Sequence, residues 1–478
     1  MIFQDVAAFN SSGFSPQVGI IGSGPAGISL ALQLEKHGIP NLIFEAGGYD
    51  YTPSVQDAYQ GKVIGDPYFD LAGARLRYFG GSSGHWAGWC RPLDEVDFEP
   101  RKGFKNSGWP IRKKDLDPYT RATDAILELE PLQADVPVNQ HLREVFLQFS
   151  PPVRFGQKYR KHIADSSTIG LLMFSPVTEL VPGNGRIDHL LVHSSDGAAR
   201  KVTLPYCCLC TGGIENSRLL LWSNLQHNAG VVPYPETLGK YWMEHPIFGA
   251  GDAIIFNRFG MSTDSHWGMK YFAPTPEYLH THNMGNFGLR LLSGGPLKAL
   301  IKDGLCIAPE LFGKLVKKSG RNLHCATTLR IAWEQLPVSS NRIELDTEKD
   351  KTGVPRTRLF WKKQPEDRHT VETAIQEFGA YLATTDLGRM KVVEWIVEGR
   401  DYPADEELAG FHHMGGTRMA LTPAEGIVDR DCKVFGVENL YIGGSSVFPT
   451  GGHTNPTYSI VQLALRLGDH LQQKISRR

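Results

Sequence analysis

The chain has little net charge and no long apolar run, and both absences narrow what it can be. Its 478 residues carry 50 Lys and Arg against 51 Asp and Glu, a formal net charge of −1. This balance does not indicate a protein that binds nucleic acid. No apolar run reaches the ~18–20 residues that a membrane-spanning helix needs. The first residues also lack the basic segment and apolar stretch of a secretory signal. We therefore expect a cytoplasmic protein with no transmembrane segment.

Cysteine is also scarce and shows no zinc-binding spacing. The seven cysteines are odd in number, and three of them lie in the apolar, strand-like run 206–210. The sequence therefore predicts buried free thiols in a reducing compartment and no metal site. The length of the chain suggests two or three domains.

A glycine-rich turn near the N-terminus is the strongest local signal that the chain does contain. Residues 18–21 form an apolar run that predicts a buried parallel strand, and residues 22–27 read Gly-Ser-Gly-Pro-Ala-Gly. Such a turn lets the backbone approach a pyrophosphate, which the N-terminus of the next helix attracts. Residues 42–44 predict a second strand that ends at Glu45, where a ribose-binding acid is expected. The unit predicts dinucleotide binding, and its alternative is a structural turn beside an exposed Glu45.

Further glycine-rich segments favour FAD as the dinucleotide. Residues 80–88 are dense in glycine and can pass close to a flat ring. Residues 177–210 alternate apolar runs with polar turns, which predicts a β-meander followed by a glycine turn at 211–213. A third glycine turn follows the strand-like residues 439–442. Three such turns suit a large, extended cofactor, although the last two could be ordinary loops of the sheet.

These segments resemble the glucose–methanol–choline (GMC) flavoprotein oxidoreductases. The likeness rests on the N-terminal turn with Glu45, the loop at 80–88, the turn at 211–220 and the block 412–457. Within the family the chain is most similar to the pyranose-oxidase and glycoside-oxidising branch. The residues that indicate this branch are Ser83-Gly84-His85-Trp86, the motif 412–419 and Asn455-Pro456-Thr457. Gly84 departs from the threonine of the pyranose-oxidase motif.

The resemblance implies an α/β fold with two discontinuous lobes. A Rossmann-like FAD-binding lobe would take residues 1–95, 165–245 and 405–478, and a substrate-binding lobe of mixed sheet and helices would take 96–164 and 246–404. The residues expected to contact FAD are Gly22, Ser23, Gly24, Pro25, Ala26, Gly27, Glu45, Ala46, Gly81, Ser82, His85, Trp86, Val177, Gly212, Gly444, Ser445, Asn455, Pro456 and Thr457. His85 is joined covalently to the flavin in the related pattern, but because of Gly84 we expect non-covalent packing here.

Two adjacent histidines are candidates for the base that alcohol oxidation on a flavin requires. The base takes the hydroxyl proton while hydride leaves the same carbon, and histidine suits this because its pKa lies near neutrality. The family pattern places the base at His412 and not at His413. Adjacent side chains in an extended segment point apart, so we expect only one to face the flavin. The alternative for either residue is a buried histidine bonded to the backbone.

Asn455 has two interpretations. Pro456 and the helical periodicity of residues 460–471 predict that Asn455 caps a helix. The resemblance implies instead that its amide donates a hydrogen bond to the substrate oxygen beside His412. His453 is an alternative second catalytic residue, and Gln335 and His453 are candidate substrate contacts.

The sequence therefore predicts FAD-dependent oxidation of a secondary alcohol to a ketone, with oxygen or another acceptor reoxidising the flavin. The resemblance implies a sugar, a glycoside or a sugar-derived natural product as substrate, and the alternative is a non-sugar alcohol such as a polyol or sterol. A flavin monooxygenase that uses NAD(P)H is disfavoured because there is no second complete G-x-G-x-x-G turn. The basic, apolar segment 294–321 predicts a solvated helix pair or, alternatively, a surface for a membrane or an electron acceptor.

Overall fold

The computed structural model describes residues 1–151, 153–194, 197–255, 269–292, 327–408 and 410–477, together with residues 310 and 314. Apart from those two residues, the segment 294–321 lies outside the described residues, as do Cys306 and Cys325. The other cysteines are free and buried, as predicted: Cys90, Cys207, Cys208, Cys210 and Cys432.

The described helices and strands are labelled here in chain order. The helices are α1 (Val6–Ser11), α2 (Pro25–Lys36), α3 (Pro53–Gln56), α4 (Thr120–Leu127), α5 (Phe155–Asp165), α6 (Glu215–Gln226), α7 (Pro276–His282), α8 (Pro365–Thr384), α9 (Glu394–Val397) and α10 (Thr457–Ser476). The strands are β1 (Ile2–Phe3), β2 (Val18–Ile21), β3 (Asn41–Phe44), β4 (Gly61–Gly65), β5 (Trp89–Cys90), β6 (Val136–Pro137), β7 (Leu142–Val145), β8 (Gln148–Phe149), β9 (Ile169–Leu172), β10 (Val177–Gly183), β11 (Arg186–His193), β12 (Ala199–Val202), β13 (Tyr206–Leu209), β14 (Ile247–Ile255), β15 (Met269–Pro274), β16 (Phe287–Leu292), β17 (Thr327–Trp333), β18 (Arg342–Lys349), β19 (Pro355–Trp361), β20 (Gly388–Val392) and β21 (Leu440–Ile442).

The first large sheet is parallel throughout and has the strand order β1-β9-β3-β2-β13-β21. Its strands β2, β3, β9 and β13 are short apolar runs buried at every position. Such runs are typical of parallel strands that are covered on both faces. Helices α2 and α10 pack against each other beside this sheet. The predicted α/β architecture is confirmed.

The second large sheet is antiparallel and has the order β20-β14-β17-β16-β15-β7-β6. Phe287, Leu289 and Leu291 alternate along β16 and lie in a core that α8 covers with residues such as Phe378. Gly288 and Arg290 therefore point to the opposite face of the sheet, because side chains alternate along a strand. This opposite face borders the cavity described below.

Smaller sheets complete the described fold. Strands β10, β11 and β12 form the predicted antiparallel meander, and β13 then enters the first large sheet. Strand β4 pairs in parallel with β19, which pairs antiparallel with β18. Thus β4, which comes from the segment 1–95, joins strands of the segment 246–404, and the division of the chain into two lobes stays a prediction. No described helix is both long and apolar enough to cross a membrane.

Candidate active site

A cavity of about 440 Å³ lies where the first sheet meets the second. The ends of β2, β3 and β13 contribute Ile21, Phe44 and the residues after Leu209, and the second sheet contributes Ile247 and Arg290. The carboxyl ends of parallel strands are where α/β folds bind ligands, since consecutive strands and helices leave a crevice there. The first sheet thus places the cavity at the position that the sequence predicted for the dinucleotide.

The turn after β2 leaves its backbone open to this cavity. Gly22 has φ = +103°, and a Cβ there would lie 2.5 Å from the carbonyl oxygen of Cys210. Gly27 does not line the cavity, but a Cβ on it would lie 2.0 Å from the oxygen of Gly22, so it permits the close contact of α2 with the turn. Gly24 precedes α2, whose first turn has no side-chain cap, and a Cβ on Gly24 would meet nothing within 4 Å. The uncapped N–H groups and the open space fit a pyrophosphate.

Glu45 follows β3 and lies beside this turn. Its Oε2 accepts hydrogen bonds from Ser23 Oγ at 2.5 Å and from Ser23 N at 3.3 Å. Its Oε1 accepts a bond from the backbone N–H of Gly47 at 2.8 Å. Glu45 is buried and borders the cavity, so the alternative of an exposed residue beside a structural turn is wrong.

Most residues expected to contact the cofactor border this one cavity. The lining contains Gly22, Ser23, Gly24, Pro25, Ala26, Glu45, Ala46, Gly81, Ser82, His85, Trp86, Val177, Gly212, Gly444, Ser445, Asn455, Pro456 and Thr457. His412 borders it too, so the segments from both ends of the chain converge. Gly27 is the exception, because its role is to let α2 approach the turn.

A buried ion-pair network also lines the cavity, and sequence reasoning missed it. Glu215 accepts hydrogen bonds from Arg75 at 2.7 Å and from Arg218 at 2.9 Å, and Arg218 also pairs with Asp350 at 2.6 Å. The nearby arginines lower the pKa of Glu215 although burial opposes them. The members come from three separate segments, because Glu215 and Arg218 both lie on α6, and no sequence motif links the three.

The space beside Gly84 explains its departure from the family motif. A Cβ on Gly84 would lie 1.7 Å from the hydroxyl oxygen of Tyr78, so the tyrosine takes the room that a threonine would need. His85 stacks on Phe411, with ring centres 6.0 Å apart, and both border the cavity. Tyr78 and Phe411 were not identified from the sequence.

His412 stands on the wall of the cavity with one ring nitrogen engaged. Its Nδ1 lies 3.0 Å from Nδ1 of His245, a buried residue that does not border the cavity. One of these nitrogens carries the hydrogen and the other accepts it. Because Nδ1 is engaged, Nε2 is the ring nitrogen of His412 left for a ligand. His245 was missed because nothing in its sequence surroundings, Glu244-His245-Pro246, marks it.

His413 points to different partners, as expected for adjacent residues. Its Nε2 lies 2.9 Å from the Tyr68 hydroxyl, and that hydroxyl donates a hydrogen bond to Oε2 of Glu244. The other carboxylate oxygen, Oε1, accepts the backbone N–H of His412 at 2.6 Å and that of His245 at 2.9 Å. Glu244 therefore holds the backbones of both residues of the His412–His245 pair.

Burial sets the protonation state of these groups. It lowers the pKa of His412 well below its ordinary value, and the neighbouring His245 and Arg290 lower it further. Burial also lowers the pKa of His413 to about 3 and that of His245 to about 4, and it raises the pKa of Glu244 to about 7. All three histidines are therefore neutral at physiological pH, the state in which an imidazole can accept a proton.

Asn455 does not cap the following helix, so the capping interpretation is wrong. Helix α10 begins at Thr457, Pro456 takes the N-cap place in a helical conformation, and no side-chain cap bond is present. The amide Nδ2 of Asn455 instead donates to the backbone oxygen of Trp89 at 3.1 Å. Asn455 and Trp89 both border the cavity, so this bond fixes the asparagine on its wall.

The two candidate substrate contacts, Gln335 and His453, do not line this cavity, although His453 borders a smaller pocket that shares Arg290 with it. Gln335 is buried, and its Oε1 accepts bonds from the Trp361 ring N–H and the backbone N–H of Glu244. His453 is buried with Nε2 3.0 Å from Asp94. Gln335 supports Glu244, and His453 is held by a carboxylate outside the cavity lining. Both residues lie in or beside segments that resemble family motifs, so their positions in the sequence alone suggested substrate contacts.

Comparisons with known proteins agree with this geometry. Residues 337–464 match the family model described as GMC oxidoreductase. The chain is 24% identical to the 2-methyl-1,2-propanediol dehydrogenase of Mycolicibacterium austroafricanum, over 96% of this chain and 95% of that protein. It is 24% identical to a C-glycoside 3-oxidase of Microbacterium trichothecenolyticum, over 83% of this chain and 75% of that protein.

A solved structure shares the fold. A fungal aryl-alcohol oxidase superposes with a TM-score of 0.61 at 13% identity, covering 97% of this chain and all (100%) of that chain. The cavity at the strand ends and the open glycine turn fit an extended dinucleotide, and the matched segment includes the histidine motif. The chain is therefore similar to the GMC oxidoreductases, whose family model its residues 337–464 match, and it is an FAD-dependent oxidoreductase that acts on alcohols.

Proposed function

We propose that the enzyme oxidises a secondary alcohol of a sugar, glycoside or sugar-derived natural product to a ketone, with His412 as the base. The observation that carries the assignment of the base is the neutral His412 ring on the cavity wall, with Nδ1 engaged by His245 and Nε2 left for substrate. The likeness to a C-glycoside 3-oxidase supports the sugar class.

The chemistry divides between the cofactor and the chain. FAD, when bound, supplies the hydride acceptor. His412 takes the hydroxyl proton at Nε2 when its Nδ1 carries the hydrogen that His245 accepts, and the C–O bond becomes the carbonyl as hydride leaves the carbon. Glu244 keeps the two histidines in register through their backbone N–H groups. His245 and Glu244 are thus positioning residues.

Asn455 is the proposed second polar group at the substrate oxygen. One N–H of its amide is used by the Trp89 oxygen, and an amide nitrogen has two. The second N–H can donate to the oxygen whose proton His412 removes. A donor at this place stabilises the negative charge that develops on the oxygen.

Anaerobic reduction of the flavin by a panel of sugars, glycosides and non-sugar alcohols tests the proposal. We expect a pyranose or glycoside to bleach the flavin fastest and to yield a ketone that NMR can locate on the ring. A panel in which only polyols or sterols bleach the flavin would contradict the sugar assignment. The likeness to a 2-methyl-1,2-propanediol dehydrogenase favours that second candidate, a non-sugar alcohol.

A further inference from the structure

Arg290 borders the same cavity as His412 but has no counter-charge among the described residues. It is half-buried on β16, and the titratable groups that affect its pKa are Tyr271 and Arg330, with no carboxylate among them. Burial lowers its pKa, which means that the surroundings disfavour its charge. Arg75 and Arg218, at another part of the lining, share Glu215 instead. The machinery assigned above to FAD and to the proton does not use Arg290.

A second arginine lies directly across from it. Arg290 on β16 and Arg330 on β17 are register partners in an antiparallel pair, so their side chains leave the same face of the sheet. This is the face opposite the α8 core; Arg290 borders the cavity there, and Arg330 lies beside Arg290 without being part of the lining. Arg330 is half-buried, and no ion pair joins it to a described residue. Like charges placed directly opposite are destabilising.

The other residues in this cross-strand row leave open space beside the arginines and include no acidic side chain. Next to Arg330 lies Gly249, where a Cβ would meet nothing within 4 Å. Next to Arg290 lies Tyr271, whose ring centre is 5.4 Å from the guanidinium carbon. Glu144 of β7 pairs with Lys270, which points to the other face. Asp252 of β14 lies opposite Thr328, on the same face as Arg330 but in the next cross-strand row, and its side chain is exposed. Two half-buried cations without an anion cost free energy, and a bound anion removes that cost.

We propose that Arg290 and Arg330 bind an anionic oxygen group of the substrate, a carboxylate or a phosphate. Guanidinium groups bind both groups through paired N–H donors. The substrate would then be an acidic sugar derivative whose oxidisable alcohol meets His412. This inference rests on the proposed function for the sugar part, and it adds the charged group by which the enzyme selects its substrate.

The test compares matched neutral and acidic sugars on the FAD-loaded enzyme. Anaerobic stopped-flow reduction gives a Kd and a limiting rate for methyl β-D-glucoside against methyl β-D-glucuronide, and for glucose against glucose 6-phosphate. We expect the acidic member of one pair to bind more tightly, and the pair that shows the difference identifies carboxylate or phosphate. Because hydrogen bonds to charged groups are worth more than neutral ones, the ratio of the two Kd values should fall about 10–100-fold in Arg290→Gln and in Arg330→Gln. Arg121→Gln, at an exposed arginine of α4, is the matched control and should keep the wild-type ratio.

A second readout separates this inference from the proposed function. Titration with sulfate and with malonate, neither of which can be oxidised, should perturb the flavin absorbance in the wild type and should do so more weakly in Arg290→Gln. If no sugar reduces the flavin but this anion effect depends on Arg290, the sugar assignment fails and the anion site stands. Equal Kd values for neutral and acidic sugars in the wild type would overturn the inference. A Kd ratio that Arg290→Gln leaves unchanged would overturn it too, because Arg290 would then act on the flavin or on His412 alone.

Discussion

The two halves of the cavity are built in different ways. The half around the turn 22–27 consists largely of backbone groups from contiguous segments, held open by positions where a Cβ would clash or would enter the cavity. The half around His412 consists of side chains from distant segments: His412 and Arg290 border the cavity, and Tyr68, Glu244 and His245 support the two histidines from behind. We call the first half the cofactor half, because it fits the pyrophosphate that all dinucleotide cofactors share. We call the second half the chemistry half, because its side chains are the ones proposed to act on the substrate.

The largest effect we expect is on the chemistry half. His412→Ala should slow anaerobic flavin reduction by about 10²–10⁴-fold, the usual contribution of a general base. It should retain FAD, because the imidazole is proposed to face the substrate and is not a pyrophosphate contact. Single-turnover stopped-flow with one good substrate measures the reduction rate.

His413→Ala is the comparison variant for that experiment. His413 bonds Tyr68 and not His245, so we expect a much smaller loss. If His413→Ala is the inactive variant and His412→Ala reduces normally, the base has been placed one residue too early.

The cofactor half should respond to glycine substitutions in two distinguishable ways. Gly27→Ala places a Cβ 2.0 Å from the Gly22 oxygen and should destabilise the protein by about 1–3 kcal/mol, as overpacking does. Gly24→Ala meets no protein atom within 4 Å, so folding stability should change little, while FAD affinity should fall about tenfold or more. Thermal unfolding of the FAD-free proteins and FAD titration give the two quantities. Equal stability of the two variants would contradict the packing argument for Gly27.

The free energy of unfolding should depend on pH through Glu244. Its pKa is raised to about 7 from 4.5 by burial, so the folded protein holds this proton more tightly than the unfolded chain. The stabilisation from the protonated form is complete below about pH 4.5 and is lost as pH rises towards 7, at about 1.4 kcal/mol per unit of pKa difference.

Glu244→Gln should remove that part of the pH dependence, because glutamine keeps the shape of the protonated acid. Urea unfolding between pH 5 and pH 8 is the measurement, with the wild type in parallel. Asp97 and Asp367 also have pKa values raised to about 7 by burial, so a slope should remain in the variant but be shallower. An unchanged slope would mean that Glu244 is ionised throughout.

The smallest expected effect is at Asn455. Asn455→Ala removes the bond to the Trp89 oxygen and should lower the free energy of unfolding by about 1 kcal/mol. It should also slow flavin reduction by less than His412→Ala does. Asn455→Asp, which keeps the shape but cannot donate, is the matched variant, and full activity in it would rule out a donor role.

The sequence predicts the cofactor half better than the chemistry half, for a physical reason. A strand, a glycine turn and a helix are neighbours in the chain, so their spacing in sequence reports their spacing in the fold. The same holds for the meander β10–β12. By contrast, Arg290 enters the site through the pairing of the second sheet, and His245 contacts His412 from the segment just before β14; sequence spacing reveals neither.

The predicted site residues that do not line the cavity follow the same rule. Gln335 and His453 lie next to motif residues in the chain, but local packing turns both away from the cavity, towards Trp361 and Asp94. The cap expected of Asn455 fails because the Trp89 oxygen, which comes from a remote segment, takes its amide. A near-neutral pKa was also expected for the histidine base, but burial lowers the pKa of His412. Burial depends on the whole fold and cannot be read from the motif.

The most direct test of this division is to measure FAD affinity and the limiting rate of flavin reduction on the same two variants, Gly24→Ala and His412→Ala. We expect Gly24→Ala to change the Kd for FAD by the larger factor, and His412→Ala to change the reduction rate by the larger factor. The opposite pattern, in which His412→Ala mainly loses FAD or reduces as fast as the wild type, would contradict the assignment of His412 as the base.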